Sequence, residues 1–142
     1  MGLTEFLVGA QSAEQAIRSS GIKNLSILTR GSVVPPNSTE LVGSQRMREL
    51  LSHLSQNYDF IVIDSPPLIP VSDSMILSTM VDGVVLVVDS AHTPKRQIKA
   101  ARARLDYARA RVFGFVLNRM HPKSLHYHYY YGDYQGDDSQ VG

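Results

Sequence analysis

The chain contains no cysteine, so it can form neither a disulfide nor a thiolate-bound metal site. It also has no long hydrophobic run. Its apolar stretches are strand-sized, far short of a membrane span. The opening Met1-Gly2-Leu3-Thr4-Glu5-Phe6 has no basic or long apolar signal region and does not read as a secretory leader. Gly2 followed by Leu3 and Phe6 is a poor match to a myristoylation site. Charge of either sign is not in excess. The net charge is +1, which excludes a polycation that binds nucleic acid along its whole length. The absence with the largest consequence is a motif. No Gly-rich loop ending in Gly-Lys-Ser/Thr occurs, so these residues do not include the usual backbone cradle for nucleotide phosphates.

What is present supports one domain: 142 residues, of which 43% are hydrophobic, are enough for a packed core. Ser12 followed by Gln15 reads as a capping box for a helix to about Ser19, and Thr4 as the cap of a short turn ended by Gly9. Leu25–Thr29 reads as a short strand, and the Pro35-Pro36 segment as a loop. Residues 38–54 read as helix, interrupted near Gly43, with Met47, Leu50, Leu51 and Leu54 on one face. Three apolar strands are predicted: Phe60–Asp64, Gly83–Asp89 and Val112–Leu117. Helices are predicted at Ser72–Met80 and from Thr93-Pro94 to about Ala110, the latter with Ile98, Ala101, Leu105 and Ala108 as its apolar stripe. Alternating strands and helices argue a parallel sheet, whose ligands bind at the carboxyl ends of the strands.

Asp64, Asn118 and Asp89 fall at those ends. The run Tyr58-Asp-Phe-Ile-Val-Ile-Asp64-Ser-Pro66-Pro67 delivers one carboxylate to a strand tip, and the proline pair stiffens the turn that follows. Such an acid can hold magnesium beside nucleotide phosphates; it can also simply cap the turn. Asn118 carries both a donor and an acceptor and can pair with the edge of an adenine, or it can satisfy local backbone. Asp89 and His92 read as structural. Seven of the fourteen Lys/Arg lie between Lys95 and Arg111, a pattern usual for a solvated helix face, with an acidic partner or anionic lipid as alternatives.

The last segment is unusual. Five of the seven tyrosines, Tyr127, Tyr129, Tyr130, Tyr131 and Tyr134, fall within eight residues, interspersed with His126 and His128. No apolar period supports a core role. The histidines lack acid or thiol partners at metal-binding spacing. A cluster of phosphoacceptors fits better, since each phosphotyrosine adds about −1.5 to −2 charges.

Together these features resemble the cytoplasmic domain of bacterial tyrosine kinases, the BY-kinases of capsular and exopolysaccharide chain-length control. The resemblance runs from Gly2-Leu3-Thr4 and Gly9 through Pro35-Pro36-Asn37 with Glu40-Leu41, and on through Gly43-Ser44 and Arg46–Leu51. It continues with Tyr58–Pro67, Val81-Asp82-Gly83 and Val116-Leu117-Asn118, and ends in the tyrosine cluster. It implies an α/β deviant P-loop NTPase fold of the MinD/ParA kind, here an incomplete parallel sheet. Residues 1–121 would be the C-terminal part of the kinase domain and 122–142 a flexible, disordered tyrosine-rich tail. It implies ATP and Mg2+ as cofactors of a complete domain, with Asp64 as the catalytic Walker B acid and metal ligand. Asn118 and Pro66 would lie at the nucleotide, and Tyr127, Tyr129, Tyr130, Tyr131 and Tyr134 would accept phosphate.

The implied partners are a membrane chain-length determinant that activates the kinase, a tyrosine phosphatase, and further copies or an intact paralogue, with no nucleic acid. The implied location is cytoplasmic, peripheral at the inner face of the bacterial plasma membrane.

In the family the Gly-Lys-Thr loop precedes the Gly-Leu-Thr segment, and its strand pairs beside Phe60–Asp64. The expectation is therefore a sheet with a gap, an unpaired apolar edge and no phosphate transfer by these residues alone. The chain would be a fragment of a longer kinase, a truncated reading frame or a decayed copy. Two other readings are a non-catalytic phosphoacceptor module and a MinD/ParA-type ATPase.

Overall fold

The computed structural model describes residues 2–32 and 36–120. Its N-terminal half is built on short elements. Helix α1 (Leu3–Leu7) starts at Gly2, not at Thr4 as the sequence suggested. The deciding contact is Glu5, whose Oε2 accepts the Gly2 N–H at 2.7 Å. The other oxygen of Glu5 accepts the Ser32 N–H at 2.9 Å and the Ser32 hydroxyl at 2.7 Å. A side chain at position 2 would run into the Thr29 carbonyl, so glycine there lets the helix start lie against the loop. Ser12 and Gln15 do form the capping box, at 3.1 and 3.4 Å. The helix it opens is only α2 (Ala13–Ala16). It ends early because Ile17 is extended and starts β1 (Ile17–Ser19), which pairs antiparallel with β2 (Ser26–Leu28). A β-branched residue with a strand partner outweighs the helix-start signal.

The predicted interruption at Gly43 is real. Helix α3 (Ser38–Val42) ends on it, and Ser44 caps α4 (Gln45–Asn57) by accepting the Met47 N–H at 3.3 Å. Met47, Leu50 and Leu54 are buried on one face of α4 and pack with Leu7, Ala13 and Leu77. After a loop come α5 (Asp73–Ser78), β3 (Val84–Asp89), α6 (Lys95–Tyr107) and β4 (Val112–Asn118). Strands β3 and β4 pair in parallel, with α6 as the crossover. Leu105, fully buried, and Ala101 anchor α6, as its apolar stripe predicted. The helix begins after Pro94, one residue later than the Thr93 cap implied.

The largest difference concerns residues 60–64. They lie in no strand, and among the described residues 59–65 make no backbone–backbone hydrogen bond. Phe60 is 89% and Val62 93% exposed. An apolar run becomes a strand only where a neighbour accepts its ladder. Among the described residues β3 has only β4 beside it, so the edge facing away from β4 is open. Val85 and Val87 on β3 are exposed as well.

The Glu5 network makes an acid-side prediction. The Ser32 hydroxyl, with the surrounding N–H groups, holds the Glu5 carboxyl at about 2, below an ordinary 4.5. The folded state therefore favours the ionised form. This contribution is present above about pH 4.5 and lost as pH falls towards 2. Glu5→Gln should remove that part of the acid dependence, giving a flatter stability curve between those limits in circular-dichroism melts.

Candidate functional site

The site is assembled from loop residues held by few contacts. Asp64 follows the apolar run and is solvent-exposed, and no hydrogen bond or ion pair engages its carboxylate among the described residues. It lines the mouth of a trough of about 870 Å³ together with Pro66, Thr4 and Asp73. Apolar side chains floor this trough, among them Leu7, Leu28, Met47 and Leu54.

Three side chains fasten the loop that begins at Asp64. The buried Ser74 hydroxyl donates to the Pro66 carbonyl at 2.6 Å. Thr39 donates to an Asp73 carboxylate oxygen at 2.6 Å, tying α3 to the start of α5. Arg104 of α6 donates to the Leu68 carbonyl at 3.3 Å. Sequence reasoning missed all three. Thr39 and Asp73 are 34 positions apart and share no motif.

Asn118 does not line this trough. It ends β4, paired in register with Asp89 at the end of β3. The two Asp64-side residues, Asp64 and Pro66, are thus together, and Asn118 stands apart from them at the carboxyl edge of the β3–β4 pair. The Asn118 Oδ1 accepts the Arg119 N–H at 2.8 Å, and its backbone carbonyl accepts the Ser90 N–H at 3.0 Å. Asp89 is engaged on both oxygens. One accepts the Ala91 N–H at 3.0 Å, and the other meets His92 Nδ1 at 3.1 Å and the Arg119 guanidinium at 3.0 Å. Partial desolvation pushes the Asp89 carboxyl up, but the hydrogen bonds and charges of these neighbours outweigh it and hold the group below its ordinary value. The five tail tyrosines, with the segment 122–142, lie outside the described residues.

A magnesium ion suits Asp64 as a single hard oxygen ligand, the usual arrangement where nucleotide phosphates and water complete the shell. Among the described residues no cluster of three or more His, Cys, Asp or Glu could hold a metal by itself.

No family model matches the chain. Relatives and solved structures do. It is 37% identical over 139 residues to the tyrosine-protein kinase YwqD of Bacillus subtilis, covering 98% of this chain and 57% of that protein. The crystal structure of the VpsO kinase domain superposes with a TM-score of 0.79 at 39% identity, over 84% of this chain and 59% of that one. The chain's homologues are bacterial tyrosine-protein kinases. The kinase domain of Escherichia coli ETK gives a TM-score of 0.78 at 32% identity, over 82% of this chain and 46% of its own. The fold is that of BY-kinase domains, a P-loop NTPase fold, and the chain spans only about half the length of these proteins, from 46% to 59%. No helix among the described residues is long and apolar enough to cross a membrane.

Proposed function

We propose that this chain supplies the Walker B part of an ATP-dependent tyrosine autokinase that controls capsular or exopolysaccharide polymerisation and export. The observation that carries the reading is Asp64: among the described residues, an exposed carboxylate with no protein partner, at the end of an apolar segment with no strand beside it. Residues 1–121 are the kinase part and 122–142 the acceptor tail. A polypeptide carrying the Gly-Lys-Thr loop, whether from the same product or from an intact paralogue, fills the open edge of β3 and brings the phosphates to Asp64.

In that assembly bound magnesium supplies charge neutralisation at the phosphates. Asp64 holds the ion and accepts the proton of the attacking tyrosine hydroxyl. Pro66 keeps the loop behind Asp64 stiff, helped by the Ser74 hydroxyl. Asn118 reads the adenine edge through its amide. Tyr127, Tyr129, Tyr130, Tyr131 and Tyr134 take the phosphate from a neighbouring copy. The partners of this reading are a membrane chain-length determinant that activates the kinase and a tyrosine phosphatase that resets it. The location is the cytoplasmic face of the bacterial plasma membrane.

Two experiments bear on it. Incubating the chain with ATP and Mg2+, with and without an intact family kinase, separates a kinase part from a pure phosphoacceptor module. The module reading gains if phosphate enters the tail only through the intact kinase and Asp64→Asn in this chain leaves uptake unchanged. In the assembled kinase, Asn118→Ala should weaken ATP binding about tenfold, the size of one lost well-placed hydrogen bond, with little change in maximal rate. Loss of turnover at unchanged ATP affinity would contradict the base-reading role.

A further inference from the structure

We propose that Asp89 is a positioning residue for nucleotide-base selection, acting through Arg119 on Asn118. The inference rests on the reading of Asn118 as the base contact and deepens it. Sequence reasoning set Asp89 aside as a strand end; the structure gives its carboxylate a specific task.

The geometry is a clamp across two adjacent strand ends. Asp89 and Asn118 are paired in register at the carboxyl ends of β3 and β4. The chain cannot simply run on from Asn118, because Arg119 adopts a left-handed conformation with φ 55°. That conformation is unfavourable for a non-glycine residue and needs compensation. Two contacts supply it. The Arg119 N–H bonds back to the Asn118 Oδ1 at 2.8 Å, and the Arg119 guanidinium reaches across to Asp89 at 3.0 Å. The Ser90 N–H, on the β3 side, bonds the Asn118 carbonyl at 3.0 Å and completes the link.

The consequence is directional. With one lone pair of Oδ1 held by the Arg119 N–H, the Asn118 amide is fixed in one of its two flips. Its NH2 is left to donate to a ring nitrogen, and the second Oδ1 lone pair is left to accept from an exocyclic amine. That is the pattern of an adenine edge. A base with a carbonyl in place of the amine presents an acceptor to Oδ1 and is disfavoured. Asp89 is the anchor because one of its oxygens fixes the Ala91 turn while the other holds Arg119, so the two strand ends cannot swing independently. The contacts are exposed, so the ion pair itself adds little stability. Its effect is on orientation.

The test uses adenosine and inosine, which carry no phosphates and need no phosphate cradle. The full chain is titrated with each while the side-chain amide of Asn118 and the backbone amides of β3 and β4 are followed by NMR. In the unaltered chain adenosine should shift the Asn118 NH2 pair and inosine should do so about tenfold more weakly. Asp89→Ala should abolish that preference while the β3–β4 amides keep their positions, and Asp89→Glu should restore part of it. Arg119→Met, which cuts the same contact from the other side, should behave like Asp89→Ala and serves if that variant does not fold. If adenosine leaves Asn118 undisturbed in the unaltered chain, the base-contact reading itself fails. If the preference is present and survives both Asp89→Ala and Arg119→Met, the base contact stands and the positioning role of Asp89 is overturned.

Discussion

Replacing Asp64 by Asn is expected to lower tail phosphorylation at least about a hundredfold in the assembled kinase, measured as phosphate incorporated per chain. The substitution keeps the shape of the side chain and removes its charge. Asparagine is a weak magnesium ligand and no base, so both roles assigned to Asp64 are lost together. Stability should not change, because the carboxylate is exposed and engages no protein group among the described residues. Thermal melts of the two proteins should overlay. An unchanged rate would remove Asp64 from the site. A lower melting temperature would make it a structural acid.

The second large effect concerns the acceptors. Changing Tyr127, Tyr129, Tyr130, Tyr131 and Tyr134 together to Phe should eliminate nearly all phosphate uptake while leaving ATP binding intact. Phenylalanine keeps the ring and deletes only the hydroxyl that would attack. Each acceptor lost withholds about −1.5 to −2 charges, so intact-protein mass spectrometry and charge-resolved electrophoresis both read the result. Undiminished uptake would move the acceptor to Tyr58, which is half-buried, or to Tyr107, which is 91% exposed. ATP hydrolysis that is unchanged by the five substitutions, with no phosphate entering either protein, would instead favour the MinD/ParA-type ATPase reading, in which the tail tyrosines have no part.

Much of the architecture was legible because local chemistry and tertiary packing agree. The apolar stripes of α4 and α6 became buried faces, since Met47, Leu50, Leu54, Ala101 and Leu105 recur at helical spacing. The break at Gly43-Ser44 was legible because a glycine end and a serine cap are local signals. The β3–β4 pair followed from two apolar runs flanking a helix-length segment.

What failed was non-local. Ile17–Ser19 became a strand because β2 lies beside it, a fact its own sequence does not contain. Phe60–Asp64 stayed out of any ladder for the opposite reason: its pattern suits a strand, but among the described residues no strand bonds it. The resemblance anticipated an unpaired apolar edge, and composition alone did not. At the candidate site, Asp64 and the proline pair stand out in the sequence pattern, although among the described residues no strand ends at Asp64. The fastening of their loop could not be read there: the Thr39 and Arg104 contacts join segments 34 and 36 positions apart, and the Ser74 contact, spanning only eight, follows no motif. Asp89 is the intermediate case. Its bond to the Ala91 N–H is a local turn signal, whereas its bond to Arg119 spans 30 positions and appears only once β3 and β4 are paired.

The most direct measurement combines the purified chain with a separate polypeptide bearing the family's Gly-Lys-Thr loop, ATP and Mg2+. Phosphotyrosine on the chain and amide exchange over residues 59–65 and β3 are followed together. The expected result is slowed exchange in both segments on mixing, with phosphotyrosine that depends on Asp64 in this chain and on the lysine in the other. Phosphotyrosine that appears without protection of these segments, or that persists in Asp64→Asn, would contradict the assignment of this edge and this acid to the kinase site.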